Sequence, residues 1–272
     1  MSRASLAVVV AVKYVPDASL ERTFEPGDHT VDRAAGSGRC SELDEYAIEA
    51  ALTLVARVGA GTVTAVTIGP PAASDALKKA LQMGVDTGVH ISDEAIAGSD
   101  APATSRVLAA AITRICADTP VDLVVCGMAS TDGAMSVLPA MLAERLGWPQ
   151  ATLAHEIELT GPDESAITVK RDAETATQTI TAALPAVISV TDQANQPRYP
   201  SLKSIMAARK KAVTTWSLAD LGVDPTEVGL AAAWTTVLTA TARPPRTAGR
   251  RIADDGNGGG VLVDFLVEQK LV

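Results

Sequence analysis

Aromatic side chains are nearly missing from this chain of 272 residues: three Trp, three Tyr and two Phe. A base-stacking platform for single-stranded nucleic acid is therefore excluded. With 47% of residues hydrophobic, the core must be aliphatic, which suits helices packed on a parallel sheet. Positive charge is also short. Lys and Arg number 23 against 32 Asp and Glu, a net charge of −9, and a nucleic-acid partner would need the opposite balance. The three cysteines, Cys40, Cys116 and Cys126, are scattered and form no CxxC pair. That spacing excludes a disulfide framework and a structural zinc site and fits a reducing, cytoplasmic setting. Cys126 ends an apolar run and reads as a small apolar filler. His29, His90 and His155 are too far apart for metal-ligand spacing. No apolar run reaches membrane-spanning length.

Several chemistries fail for want of parts. The chain has no GxxxxGK[ST] loop and no GxGxxG after its first apolar run. It has no GxSxG elbow, no paired carboxylates and no Cys/His arrangement. Nothing in it volunteers a nucleophile or a general base.

What is present is alternation. Leu6–Val12 is apolar and follows Arg3, but it spans only seven residues, leads into Lys13, and lacks a small-residue cleavage site, so it reads as a first strand. Residues 17–40 form a long polar connection of the kind that is functional or mobile. A helix is expected over Glu42–Val58, with Ile48, Ala51, Leu52 and Val55 as its apolar stripe and Ser41 and Asp44 as a capping pair. Then come a strand at Thr62–Ile68, a helix at Ala72–Met83, a strand at Gly88–Ile91, a helix at Ala103–Cys116, a strand at Asp122–Cys126 and a helix at Ala134–Leu146. This order predicts an α/β fold with a doubly wound, mostly parallel sheet. Thr152–Leu159, Ala166–Arg171, Gln178–Ala182 and Ala186–Val190 read as short strands extending the same sheet in antiparallel fashion. A helix follows at Ser201–Lys211, then a single turn at Leu218–Leu221. Residues 243–260, with Arg243-Pro244-Pro245-Arg246 and three glycines, look like a linker to a last amphipathic helix at Val261–Gln269.

Two stretches could carry function. In Asp122–Gln150 a buried strand runs into Gly127, a small-residue turn and a helix. Strand, turn and helix N-terminus aim backbone N–H groups at an anion, and ligands of open parallel sheets sit beyond the strands' carboxyl ends. The turn is thus a candidate phosphate site; a plain βα turn is the other reading. In Asn195–Lys211, Leu202, Ile205 and Met206 form an apolar edge among Arg198, Lys203, Arg209, Lys210 and Lys211. That is a core-facing helix with cations at its C-terminus, or a docking segment with an apolar anchor and a charged rim.

These stretches carry a resemblance. LPAVISV and NQPRYPSLKSIMAARKK, within Leu184–Lys211, resemble the signature of the beta (small) subunit of electron transfer flavoproteins. VAVKYVPD (10–17), ELDEYAIEAAL (42–52), TVTAVTIGP (62–70), ALQMGVDTGVH (80–90), DLVVCGMASTDG (122–133) and LGWPQAT (146–152) agree in order, so the resemblance covers nearly the whole chain. It implies a Rossmann-like domain of the adenine nucleotide alpha hydrolase-like kind over residues 1–225. Residues 226–272 would be a C-terminal arm whose terminal helix packs on the partner.

The resemblance also implies a heterodimer with an alpha subunit that holds most of an FAD, an AMP held by this chain, and electron flow from acyl-CoA or other dehydrogenases to a quinone oxidoreductase. By position, the nucleotide site would comprise Ala11, Ser41, Glu42, Leu43, Asp44, Ile68, Gly127, Thr131, Asp132, Gly133, Met135, Ser136, Val137 and Leu138. Arg171 would lie near the flavin. Partner docking would fall on Tyr199, Leu202, Ile205 and Met206, with Leu202 as anchor. Asp132-Gly133 begins as in electron-bifurcating members, which hold a second FAD here, but Ala134-Met135-Ser136-Val137 does not continue that motif, and AMP is the expectation. The alternatives are a bifurcating member and a nucleotide-binding regulatory module without a redox role.

Overall fold

The computed structural model describes residues 4–33, 37–241, 243–245, 249 and 251–272. Arg3 and Arg246, read above, lie outside them. In chain order the elements are β1 (Leu6–Ala11), β2 (Tyr14–Pro16), β3 (Gly38–Cys40), α1 (Glu42–Val58), β4 (Gly61–Ile68), α2 (Ser74–Met83), β5 (Thr87–Ile91), α3 (Ala101–Asp118), β6 (Leu123–Gly127) and α4 (Leu138–Leu146). They continue with β7 (Gln150–Ala154), β8 (Glu156–Thr160), β9 (Ala166–Asp172), β10 (Thr177–Ala183), β11 (Ala186–Val190), α5 (Leu202–Ala208), β12 (Val213–Trp216), α6 (Leu218–Leu221) and α7 (Gly258–Glu268).

The main sheet has seven strands in the order β12-β5-β4-β1-β6-β11-β7, and every neighbouring pair is parallel. Successive side chains of a strand point to opposite faces. Val8 and Val10 of β1 join the core formed with α1 and α2, while Val9 joins the core formed with α3 and α4. Both faces of the centre are therefore dry, and β1 and β6 read as unbroken apolar runs for that reason, while β11 is interrupted by Ser189, whose buried Oγ accepts the Leu153 N–H at 2.8 Å. Helix α1 ends where Gly59 takes φ 84°, a left-handed position that favours glycine.

Several expectations are corrected. The antiparallel strands are present, but β8, β9 and β10 form a sheet of their own. Thr152–Leu159 is two strands, β7 and β8, which split at His155, and β7 and β11 join the main sheet in parallel. Helix α4 begins four residues later than its apolar pattern suggested, because Ala134 and Ser136 adopt φ of 50° and 57°, outside the helical region. Pro139 then sits in the first helical turn, where its missing N–H does no harm. Ser41 precedes α1 but makes no side-chain cap; the Asp44 carboxylate instead accepts from the Lys13 N–H at 2.7 Å. Strand β12 was not expected from its four largely exposed residues. The three glycines read as linker, Gly258, Gly259 and Gly260, lie in the first turn of α7.

The chain divides into two compact units, Met1–Leu238 and Thr239–Val272. The second holds α7, whose Leu262, Val263 and Val267 are exposed. No helix among the described residues is long and apolar enough to cross a membrane. Among them, no cluster of His, Cys, Asp and Glu is placed to hold a metal ion.

Candidate functional site at the carboxyl edge of the sheet

Strand β1 lies between β4 and β6, with Ala11 opposite Val66 and Val10 opposite Val125. Their carboxyl ends therefore bring Ala11, Ile68 and Gly127 to one edge of the sheet. The first turn of α1 meets that edge directly. A Cβ on Gly127 would fall 2.6 Å from Asp44 Oδ1 and 2.8 Å from the Leu43 carbonyl oxygen. Ser41, Glu42, Leu43 and Asp44 thus abut the end of β6, and only a glycine permits the approach. Ser41 is fully buried, and its Oγ has no hydrogen-bond partner among the described residues.

The turn after β6 is built around Asp132. Its side chain is only 1% exposed and receives Lys13 Nζ at 2.8 Å and an Arg33 terminal nitrogen at 2.6 Å. It also accepts the Gly133 N–H at 2.7 Å. Burial opposes ionisation of Asp132, but the Lys13 charge and hydrogen bonds from Lys13, Ser130 and Arg33 outweigh it and hold the carboxyl well below the usual range. Arg22 caps the same turn from outside, donating to the Thr131 carbonyl at 2.5 Å and the Asp132 carbonyl at 3.4 Å. Beyond it, Gly133 through Ser136 are exposed and Val137 and Leu138 are half-buried. The backbone N–H groups of Met135, Ser136 and Val137 meet no acceptor among the described residues. Unpaired N–H groups before a helix favour an anion.

Asp44 behaves in the opposite way to Asp132. Burial pushes its carboxyl up to about 7, against the opposing N–H and charge of Lys13. Burial likewise pushes the Cys126 thiol up to about 12, so it offers no thiolate and serves as core filler.

The edge thus gathers the sequence-derived candidates from Ala11 to Leu138. Arg171 stands apart, on β9, donating to Gln178 Oε1 at 2.8 Å and to Thr152 Oγ1 of β7 at 3.4 Å. Sequence reasoning missed Lys13, Arg22 and Arg33. The only signal for them was their place in or beside the long polar 17–40 connection.

The second candidate is an exposed ridge. Tyr199 is 93% exposed, Leu202 82% and Met206 68%, with Ile205 half-buried. Helix α5 is therefore not core-facing along this edge. Ser201 caps it by accepting the Ser204 N–H at 3.2 Å. Two cations read as part of a docking rim hold the segment down instead. Arg198 grips Glu49 of α1 with two guanidinium nitrogens at 2.7 and 2.8 Å. Lys211 Nζ donates to the carbonyls of Leu81, Gly84 and Val85 at the end of α2, where the helix dipole favours a cation. Lys203, Arg209 and Lys210 remain for the rim.

Comparison with known proteins agrees with this architecture. A family model for the electron transfer flavoprotein domain matches residues 28–221. The electron transfer flavoprotein subunit beta of Mycobacterium tuberculosis is 43% identical over 269 residues, covering 97% of this chain and 99% of that protein. Protein FixA of Azotobacter vinelandii is 35% identical over 240 residues, covering 88% and 85%. The caffeyl-CoA reductase-Etf complex subunit CarD of Acetobacterium woodii is 32% identical over 269 residues, covering 98% and 100%. The match spans the sheet edge, the Asp132 turn and the α5 ridge together, so the chain belongs to the beta-subunit family of electron transfer flavoproteins, whose work is electron transport.

Proposed function

We propose that this chain is the beta subunit of a heterodimeric electron transfer flavoprotein. It holds AMP at the carboxyl edge of the sheet and helps to position an FAD carried mainly by an alpha subunit. Electrons pass from acyl-CoA or other dehydrogenases to a quinone oxidoreductase. The observation that carries the nucleotide reading is the run of unpaired backbone N–H groups at Met135–Val137 beside a cation-rich turn. Ser41 Oγ, buried and without a partner, adds a polar atom suited to a ligand at the same edge. Flavin supplies the redox chemistry when bound, and the residues of this chain place it and exclude water. Arg171 is the residue offered toward the flavin. The 226–272 arm, with Trp234, Leu238 and Leu262 exposed, suits packing on the alpha subunit.

A second reading is an electron-bifurcating member with FAD in place of AMP. The similarity to the caffeyl-CoA reductase-Etf complex subunit favours keeping it. The test is the nucleotide released from the heterodimer on denaturation, separated by chromatography. One FAD and one AMP per heterodimer are expected. Two FAD and no AMP would establish the bifurcating reading, and no flavin would leave a regulatory module.

Gly133→Val sharpens the same measurement. A Cβ at Gly133 would stand 3.3 Å from Ser130 Oγ and 3.9 Å from Lys13 Nζ, both side-chain ends that can give by a few tenths of an ångström, so the cost to the fold is small. We expect AMP content to fall severalfold with little change in melting temperature. Normal AMP occupancy would move the phosphate away from this turn.

Docking has its own test. Leu202→Ala removes an exposed apolar side chain that contributes little to folding. Electron transfer from the dehydrogenase should slow about tenfold, as for loss of an interface anchor, with nucleotide retained. Unchanged transfer kinetics would remove Leu202 as the anchor.

A further inference from the structure

We infer that Arg22 and Arg33, together with Lys13, read the phosphate charge of the bound nucleotide. This rests on the proposed nucleotide site and adds to it the residues that set its selectivity.

The long connection after β1 is not a shapeless loop. Glu25 N donates to Thr30 O at 2.8 Å, Asp32 N donates to Thr23 O at 3.0 Å, and Phe24 bridges Val31 in antiparallel fashion. Thr23 and Asp32 are therefore partners in a small hairpin, which places Arg22 and Arg33 directly opposite each other at its open end. Like charges at opposed hairpin positions repel and destabilise the pairing. Both guanidinium groups nevertheless converge on one place, the Asp132 turn, Arg33 on the carboxylate and Arg22 on the Thr131 and Asp132 carbonyls. Lys13 Nζ joins them, 2.8 Å from Asp132 and 3.9 Å from where a Gly133 side chain would begin.

Charge counting then points to a ligand. Three cations surround one ionised carboxylate, Asp132. Of the other carboxylates at the edge, Glu42 faces Arg39 at 3.4 Å and Asp44 is pushed up to about 7 by burial, so neither matches these cations in full. Arg22 has no carboxylate partner among the described residues; its bonds are to neutral carbonyls. The turn therefore carries a surplus of about two positive charges on a chain whose net charge is −9. A phosphate monoester near neutral pH carries close to the matching negative charge. The exposed N–H groups of Met135–Val137 supply directional donors, and the cations supply the charge. The hairpin is thus a clasp, completed when an anion sits between its like charges and the turn.

The test is calorimetric titration of the heterodimer, freed of nucleotide, with AMP and separately with adenosine. Wild type should bind AMP far more tightly than adenosine. Arg22→Gln and Arg33→Gln should each weaken AMP about tenfold or more, the scale of a lost charge-assisted bond, and leave adenosine within about twofold. Arg22→Lys, which keeps the charge, should recover part of the AMP affinity. Unchanged AMP binding in Arg22→Gln would overturn the inference. So would equal losses for AMP and adenosine, which would make the arginines scaffold only; melting of the nucleotide-free complexes would then fall in parallel. A wild-type complex that binds no adenine nucleotide would remove the site itself, a failure separable from that of the clasp.

Discussion

Replacing Gly127 by Ala is expected to destabilise the folded chain by about 3 kcal/mol, the upper range for forcing an extra group into a filled space. The new Cβ would stand 2.6 Å from Asp44 Oδ1, 2.8 Å from the Leu43 carbonyl oxygen and 3.0 Å from its carbon. Neither side can retreat cheaply. Strand β6 is held on both edges by β1 and β11. Helix α1 is fixed by Ala47 and Ile48, both fully buried, and by the Asp44 bond to the Lys13 N–H. A loss of this size should lower the melting temperature by roughly 6–12 °C in a domain of this length. Because α1 and the Asp132 turn meet at Gly127, nucleotide content should drop as well. Gly133→Val should behave differently: the nearest atom to its new Cβ is the movable Ser130 hydroxyl at 3.3 Å, so that substitution should lose ligand with little loss of stability. A melting temperature for Gly127→Ala within about a degree of wild type would show that α1 and β6 can separate at no cost.

Replacing Asp44 by Asn is expected to stabilise the chain, most strongly above neutral pH and progressively less as the pH falls toward 4. Asp44 is 6% exposed, and burial, opposed by the Lys13 N–H and charge, raises its carboxyl from 3.8 to about 7. The folded chain therefore takes up a proton at Asp44 between about pH 7 and pH 4, where the unfolded chain does not. Stability at this site rises as the pH falls through that window, and above it the folded chain carries a buried charge beside Asp132 and Glu45. Asn removes the charge and keeps an oxygen for the Lys13 N–H. The expected gain is about 4 kcal/mol at pH 8, falls to about 2 kcal/mol at pH 5 and approaches zero only below about pH 4. Urea unfolding of wild type and variant at the two pH values measures it. Equal gains at both would mean that Asp44 is ionised throughout.

The two carboxylates at this edge show how much of the site was legible. Asp44 and Asp132 both appear in stretches that the sequence picked out, and both sit at the carboxyl edge of the sheet. Their opposite ionisation was not legible, because it depends on the distance to cations from a segment about 100 residues away in sequence. Arg22 and Arg33 reach Asp132 only through the hairpin pairing of Thr23 with Asp32. The α5 ridge divides in the same way. Leu202 and Met206 were readable as an apolar edge, but only the grip of Arg198 on Glu49 and of Lys211 on the end of α2 turns that edge outward.

What the sequence by itself determined is whatever depends on local order: the alternation of apolar runs and helical stripes, the place of the glycine and proline breaks, and hence a doubly wound parallel sheet with the proposed nucleotide edge at the strand ends. Helix α1 was readable over about Glu42–Val58 because its apolar stripe is a local signal, while the left-handed turn at Gly59 that ends it was seen only in the fold. Tertiary structure alone decided which strands pair. Between Thr152 and Val190 a run of short strands fits one sheet or two equally well by pattern. Only packing placed β11 beside β6 and sent β8, β9 and β10 into a separate sheet, since each strand joins where its buried face finds a complementary partner. Charge followed the same rule: the chain is acidic in composition, yet the fold collects Lys13, Arg22 and Arg33 on one turn, because electrostatic energy depends on distance in space and not on distance along the chain.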